Sequence, residues 1–337
     1  MRTLAAPVLR VEGLRVTFDV PDGRVHAVNG VSFDLYPGEC LGVVGESGSG
    51  KSVTMLALLG LLPSPPARIE AGSAVLRMDG GDVDLLTLGE RELEQIRGGS
   101  VGIVFQDPSS ALNPVMRIGE QIAEPLRVHR RLDRRAAERE AIRLLRAVGI
   151  ADAERRAADY PHRLSGGMRQ RVMIAIAMAA EPAVVVFDEP TTALDVTVQA
   201  QILQLVKDRL LQHRRTAVVW ITHDMGVIAG LADRVMVMYG GTVVERGRVG
   251  DIYRRPLHPY TIGLLGAIPA AVGGGHRLIT IEGSPPDLMG PLRACPFSPR
   301  CRYRFDRCQR ERPSPELVDD EHEVACFYDV ERGGLRR

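Results

Sequence analysis

The run Gly45-Glu46-Ser47-Gly48-Ser49-Gly50-Lys51-Ser52 constrains the fold more than any other feature of the chain. Its G-x-x-x-x-G-K-S pattern is that of a phosphate-binding loop, which works where a strand turns into a helix. Glycines let the backbone bend tightly, so that successive N–H groups point into one anion-sized cavity. A lysine in that position reaches the β- and γ-phosphates as a point charge, and the following hydroxyl can ligate Mg²⁺. The flanks agree. Cys40-Leu41-Gly42-Val43-Val44 has the length and apolarity of a buried strand, and the run from Val53 through Leu59 predicts a helix whose N-terminus faces the phosphates. A Gly/Ser turn that merely precedes a lysine does not account for that strand–loop–helix context. By itself the loop implies a nucleoside triphosphate and says nothing of its use.

Composition narrows the possibilities mainly by exclusion. The 337 residues can bury a full core and leave room for an appendage. With 43 basic against 42 acidic residues the formal charge is +1, which gives no general field toward nucleic acid or anionic lipid. Basic residues cluster between Arg127 and Arg156, but acidic ones are interleaved there at helical spacing, as on a solvated helical face. The longest wholly apolar run, residues 172–180, is far shorter than the roughly 18–20 residues that cross a bilayer. The opening Met1-Arg2-Thr3-Leu4-Ala5-Ala6-Pro7 has too short an apolar stretch for a secretory signal. The expectation is a cytoplasmic chain whose membrane role, if any, comes through a partner.

Further motifs follow in order. Alternating residues in Leu14-Arg15-Val16-Thr17-Phe18 and Val31-Ser32-Phe33-Asp34-Leu35, punctuated by Pro21-Asp22-Gly23 and Pro37-Gly38, predict an antiparallel β layer ahead of the phosphate loop. Val101-Gly102-Ile103-Val104-Phe105 predicts a buried strand that stops before Pro108 and delivers Gln106. Residues 118–159 carry a helical, Arg/Ala/Glu-rich pattern. Leu164-Ser165-Gly166-Gly167-Met168-Arg169-Gln170 precedes an apolar helix over residues 172–180. Ser165 can cap that helix while the glycines let backbone N–H groups approach a phosphate. Ala183-Val184-Val185-Val186-Phe187 predicts a central parallel strand that presents Asp188 and Glu189 at its carboxyl end. Ala193-Leu194-Asp195 leads into a helix over 198–212, and Ala217-Val218-Val219-Trp220-Ile221 predicts another strand ending near His223. Residues 234–244 read as a hairpin turning at Gly240-Gly241.

Phosphate loop, Gln106, the Ser165-Gly166-Gly167 signature, Asp188-Glu189-Pro190, Asp195 and His223, in this order, resemble the ATP-binding-cassette ATPases across residues 8–251. The resemblance implies an α/β fold: a P-loop NTPase core of mainly parallel sheet with an antiparallel β layer and a helical subdomain at about residues 107–165. Gly45, Glu46, Ser47, Gly48, Ser49, Gly50, Lys51 and Ser52 would hold ATP, while Ser52, Gln106 and Asp188 would organise Mg²⁺. Glu189 is the candidate general base, with Gln106 and His223 at the attacking water and the γ-phosphate. In such proteins the signature caps the nucleotide of a second cassette, so Ser165, Gly166, Gly167, Gln170 and Asp195 would serve the ATP of a head-to-tail partner. For the adenine the usual aromatic platform is not in evidence, leaving Phe18 or Val25 as candidates.

Residues 252–337 form a Pro/Gly-rich extension with four of the five cysteines, Cys295, Cys301, Cys308 and Cys326. Four thiols within 32 residues of a cytoplasmic chain argue for metal over disulfides. Their spacing matches neither the usual zinc pairs nor the common ferredoxin runs, so iron–sulfur, zinc, free thiols and a labile disulfide all stay open. Cys40 stands apart beside a buried strand and reads as an inert small hydrophobe. With His258-Pro259-Tyr260-Thr261, Gly283-Ser284-Pro285-Pro286 and Cys295-Pro296-Phe297-Ser298-Pro299-Arg300-Cys301, the extension resembles that of oligopeptide and dipeptide importer ATPases. Gly60-Leu61-Leu62-Pro63 with Phe105-Gln106-Asp107-Pro108-Ser109-Ser110-Ala111-Leu112-Asn113-Pro114 resembles their D-type subunit.

That resemblance implies a 4Fe–4S cluster on the four tail cysteines, with zinc the alternative. It also implies an F-type second cassette, two transmembrane permease subunits and an extracytoplasmic peptide-binding protein as partners, at the cytoplasmic face of the membrane. Rival expectations are the same role for nickel or another small solute, a soluble cassette ATPase acting on DNA or ribosomes, and a non-enzymatic regulatory cassette. The near-zero charge and the lack of a long coiled coil speak against nucleic acid, and the intact Lys51, Asp188, Glu189 and His223 speak against the last.

Overall fold

The structure is a computed structural model, and it describes residues 6–336 except 79, 193, 213–215, 269–280 and 320. Ala193 and the first five residues, on which the readings of the Asp195 segment and of the N-terminus partly rest, lie outside the described residues.

Two sheets organise the molecule. The larger has eight strands in the order Glu316–Asp319, His322–Val324, Thr242–Arg248, Arg234–Tyr239, Cys40–Val44, Ala217–Thr222, Val184–Asp188 and Val101–Val104. From Arg234–Tyr239 to Val101–Val104 the neighbours run parallel. Their sequences are near-continuous Val, Ile and Met because both faces are covered. Phe187 and Trp220 stack at a centroid distance of 4.9 Å within this core. The hairpin at Gly240-Gly241 forms as expected, both glycines taking positive φ.

The smaller sheet is antiparallel, in the order Gly23–Leu35, Leu9–Val20, Ala67–Met78 and Gly81–Asp84. The first two strands are the expected layer. The other two were not legible, because Arg68, Glu70 and Gly72 break the apolar alternation on an exposed stretch.

Three helices, Ile118–His129, Arg134–Ala147 and Ala153–Ala157, make up the expected helical insertion. Ser165 caps the next helix as read, accepting from Met168 N, but the helix begins at Gly166 and ends at Met178. It therefore starts six residues before the apolar run, since a capped N-terminus lets the two glycines enter the first turn.

Residues after 251 are woven into the rest of the fold. Glu316–Asp319 and His322–Val324 extend the large sheet beyond Thr242–Arg248, held by bidentate Arg246–Glu323 bonds of 2.7 and 2.8 Å. The Glu245 carboxylate, fully buried, accepts from the backbone N–H groups of Leu257 and His258 and faces His322 Nε2 at 2.8 Å. That carboxylate anchors the turn into the helix Pro259–Gly266. His258 then caps the helix, its Nδ1 accepting from Tyr260 N at 3.0 Å.

Candidate nucleotide site

Every predicted site residue of the large sheet sits at the carboxyl end of a parallel strand, where open α/β sheets place ligands. The phosphate loop leaves Cys40–Val44 at Gly45, whose φ is +155. A Cβ there would lie 2.2 Å from the Met238 carbonyl, so only glycine fits. Gly50, at φ +95, ends the loop as N-cap of the helix Lys51–Leu58. The helix thus starts two residues before the apolar periodicity, with Lys51 and Ser52 in its first turn.

Lys51 is 4% exposed. Its Nζ donates to the carbonyls of Gly45 and Glu46 at 2.8 and 2.9 Å, curling back over the loop. Burial lowers its pKa, opposed by the nearby carboxylates of Glu189, Asp188 and Glu46. The Ser52 hydroxyl donates to Asp188 Oδ1 at 2.7 Å, so the two candidate Mg²⁺ ligands meet across the site. Burial holds the Asp188 carboxyl above its ordinary range, with the charge on Glu189 adding to the effect and the Ser52 bond countering it. A divalent cation bound there would remove that penalty.

Glu189 gathers the remaining candidates. Its Oε2 accepts from Gln106 Nε2 at 3.4 Å and from Thr192 Oγ1 at 3.0 Å, and lies 3.3 Å from His223 Nδ1. The backbone of Glu189 takes φ +45, the left-handed region, while its N–H donates to Ile221 O. Such strain at a non-glycine residue is held by its surroundings and clusters at functional positions. Thr192 was missed by sequence reasoning, since a threonine just past an Asp-Glu-Pro turn carries no pattern of its own.

The signature residues divide. Ser165 and Gly166 are exposed, and so is Asp195, whose side chain caps the helix Val196–Val206. Gly167 packs against that helix so closely that a Cβ would meet Val198 Cγ1 at 2.8 Å. Gln170 instead is buried within its own chain. On the small sheet Phe18 and Val25 are cross-strand partners, both half-buried. Val25 is bridged by Met289 of the extension, and His26 N donates to Leu288 O at 2.8 Å. This edge of the hairpin is therefore covered by the extension and not open along its length.

The cysteines are all thiols. Cys295, Cys301, Cys308 and Cys326 line one cavity of about 10 Å³ together with Phe297, Tyr303 and Phe327. Burial in these apolar walls pushes Cys295 up to about 11 and Cys326 up to about 12. The cavity has room for about one water, and among the described residues no group of three or more His, Cys, Asp or Glu is arranged to hold a metal ion. The side-chain arrangement thus gives the expected cluster or zinc no support beyond bringing the four sulfurs to one place.

Comparison with known proteins places these parts. Residues 28–192 match the family model described as ABC transporter, and residues 244–308 match that of the oligopeptide/dipeptide transporter C-terminal region. The chain is 46% identical over 325 residues to the dipeptide transport ATP-binding protein DppD of Bacillus subtilis, covering 96% of each. It is 47% identical over 324 residues to the oligopeptide transport ATP-binding protein OppD of Salmonella typhimurium, covering 96% of this chain and 94% of that one. Among solved structures, the ATP-binding cassette MJ0796, a dimer in a post-hydrolysis state bound to ADP and Pi, aligns with a TM-score of 0.62 at 28% identity. That alignment covers 72% of this chain and 98% of MJ0796. Carrying both matched regions and a phosphate loop, candidate metal carboxylate and candidate base in one site, the chain belongs to the ABC transporter ATP-binding proteins, as an ATP-hydrolysing cassette of the dipeptide and oligopeptide transport type.

Proposed function

We propose that this chain powers uptake of a peptide-class solute, with residues 8–251 as the cassette and 252–337 as an extension that braces it. The observation that carries the proposal is the near-complete-length identity of 46% and 47% to dipeptide and oligopeptide transport ATP-binding proteins. In this reading the phosphate loop and Lys51 hold the triphosphate. Ser52 and Asp188, with Gln106, organise Mg²⁺. Glu189 polarises the attacking water while His223, 55% exposed at the site, contacts the γ-phosphate. Lys51 must swing off the loop carbonyls to do so, and a bound triphosphate supplies the stronger, charge-assisted partner.

The chain has one phosphate loop and one signature, so a second cassette, of F-type, completes each site in a head-to-tail dimer. Exposed Ser165, Gly166 and Asp195 are where that partner's ATP would be met. Among the described residues no helix is long and apolar enough to cross a membrane. In this reading, which rests on the likeness to dipeptide and oligopeptide transport ATP-binding proteins, two permease subunits and an extracytoplasmic binding protein complete the system, with this chain peripheral at the cytoplasmic face.

For the extension, the four thiols suit an iron–sulfur cluster by their chemistry: soft donors in an apolar wall. Cys295, Cys301, Cys308 and Cys326 would hold it, and it would supply a covalent brace to a Pro-rich segment. Protein purified anaerobically should then contain iron and acid-labile sulfide, and one equivalent of zinc without iron would end that reading. The transport reading is tested by reconstituting the chain with its permeases and second cassette in vesicles. Peptide-stimulated ATP hydrolysis with peptide accumulation is expected. Stimulation by nickel and not by peptides, or recovery of the chain on ribosomes or DNA, would overturn it.

A further inference from the structure

The extension reaches the phosphate loop itself. Arg300 Nη1 donates to Glu46 Oε2 at 2.8 Å, linking the second matched family region to the first across 254 positions. The contact is built. The Arg300 side chain is 6% exposed and that of Glu46 26%. The rest of the guanidinium is committed too: Nη1 also reaches the Tyr239 hydroxyl at 3.1 Å, Nη2 the Ile281 carbonyl at 3.1 Å and Nε the Glu282 carbonyl at 2.9 Å. From the other side the Glu46 N–H donates to the Tyr260 hydroxyl at 2.8 Å. Glu46 is thereby held at side chain and backbone by two residues of the extension. Arg300 stands on the short turn Ser298–Arg300, between Cys295 and Cys301.

A carboxylate in a loop built to receive a triphosphate works against the loop's purpose, because like charges a few ångströms apart at partial burial repel appreciably. We propose that Arg300 is a positioning residue of the nucleotide site, which neutralises Glu46 and turns its carboxylate away from the phosphate cradle. The inference rests on the reading that this loop holds ATP. It makes the extension a part of nucleotide binding and explains why Glu46 is tolerated there.

The test uses the full chain, with ATP binding measured by calorimetry in the presence of Mg²⁺ at low and high salt, and thermal unfolding followed in parallel. Arg300→Gln should weaken ATP binding roughly tenfold, and the loss should shrink at high salt. Arg300→Lys, which keeps the charge and loses the fork, should stay within about threefold of the native chain. The decisive variant is Arg300→Gln combined with Glu46→Gln, which removes the stranded carboxylate and should regain most of the affinity. Native affinity in Arg300→Gln, or a double variant no tighter than Arg300→Gln, would overturn the proposal, the latter leaving Arg300 a purely structural brace. If Arg300→Gln fails to fold, Arg300→Lys decides: a tenfold loss with native thermal stability contradicts a charge-based role. Failure of the native chain to bind ATP would instead overturn the nucleotide-site reading.

Discussion

The Ser52 hydroxyl donates to Asp188 Oδ1 across 2.7 Å, so one hydrogen bond joins the first turn of the helix Lys51–Leu58 to the end of the strand Val184–Asp188. Both oxygens are hard donors of the kind that Mg²⁺ selects. A cation held by the free lone pairs of the Ser52 oxygen could leave this bond in place, and its charge would offset the burial penalty that raises the Asp188 pKa. Asp188→Asn should raise the Mg²⁺ concentration for half-maximal ATP hydrolysis by about tenfold or more. Ser52→Ala should shift it in the same direction by less, because water can replace a hydroxyl. The measurement is a Mg²⁺ titration of ATPase activity at saturating ATP, and an unchanged midpoint in Asp188→Asn would remove the residue from the metal site.

Gly102 tests the packing beneath the site. It lies in Val101–Val104, two residues before the strand end that leads to Gln106, and a Cβ there would come 2.3 Å from the Ala177 carbonyl. That carbonyl belongs to the helix Gly166–Met178, so the helix which begins at the signature presses directly on the strand that leads to Gln106. Gly102→Ala should destabilise the chain by about 1–3 kcal/mol, the usual cost of overpacking a core. Denaturant unfolding measures it. Native stability would mean the helix can move off the strand freely.

How much of this was readable depends on what kind of interaction did the placing. Gln106, Asp188, Glu189 and His223 were legible because each follows an apolar strand, and parallel strands deliver their carboxyl ends to one edge. The Ser165 cap was legible from local chemistry alone. The strands Ala67–Met78 and Gly81–Asp84 were not, since their charged and glycine residues face solvent and hide the alternation. Nor was the addition of His322–Val324 to the large sheet, which depends on backbone pairing with Thr242–Arg248 and on a buried His322–Glu245 contact. Arg300 read as part of a cysteine motif. Its partner Glu46 read as one of the unspecified positions of the phosphate loop, and nothing local to either one announces the other.

Cys40 gives a pH dependence whose sign can be worked out. The thiol is buried at the base of the central strand, where the backbone N–H of Cys40 donates to Asp233 Oδ2 at 2.9 Å. Burial raises the thiol pKa well above its ordinary value. The folded chain therefore keeps the proton at alkaline pH where the unfolded chain gives it up. This contribution to stability is fully present below the unfolded value of about pH 9, and is lost as pH rises from there toward the folded pKa. Cys40→Ala should flatten the fall in unfolding free energy above about pH 9, even if the smaller side chain lowers stability uniformly. An unchanged alkaline slope would mean that other groups, such as Tyr239, account for it. Alkylation at about pH 8 should likewise leave Cys40 unmodified until the chain unfolds.

Glu189 carries the sharpest prediction about chemistry. Its Oε2 already collects Gln106, Thr192 and His223, and its backbone is held at φ +45, so the carboxylate has one address. Replacing it by glutamine keeps the size and one acceptor oxygen while removing the proposed base. Glu189→Gln should cut single-turnover hydrolysis by about 10²–10⁴-fold and leave ATP affinity near native, because nothing that contacts the phosphates has changed. His223→Ala, which removes a neighbour of that carboxylate and not the carboxylate itself, should cost less in the proton-transfer step if its role is to contact the γ-phosphate. Rapid-quench hydrolysis beside equilibrium ATP binding separates the two effects. Near-native turnover in Glu189→Gln would assign the water to another group, and a parallel loss of ATP affinity would make Glu189 a binding residue.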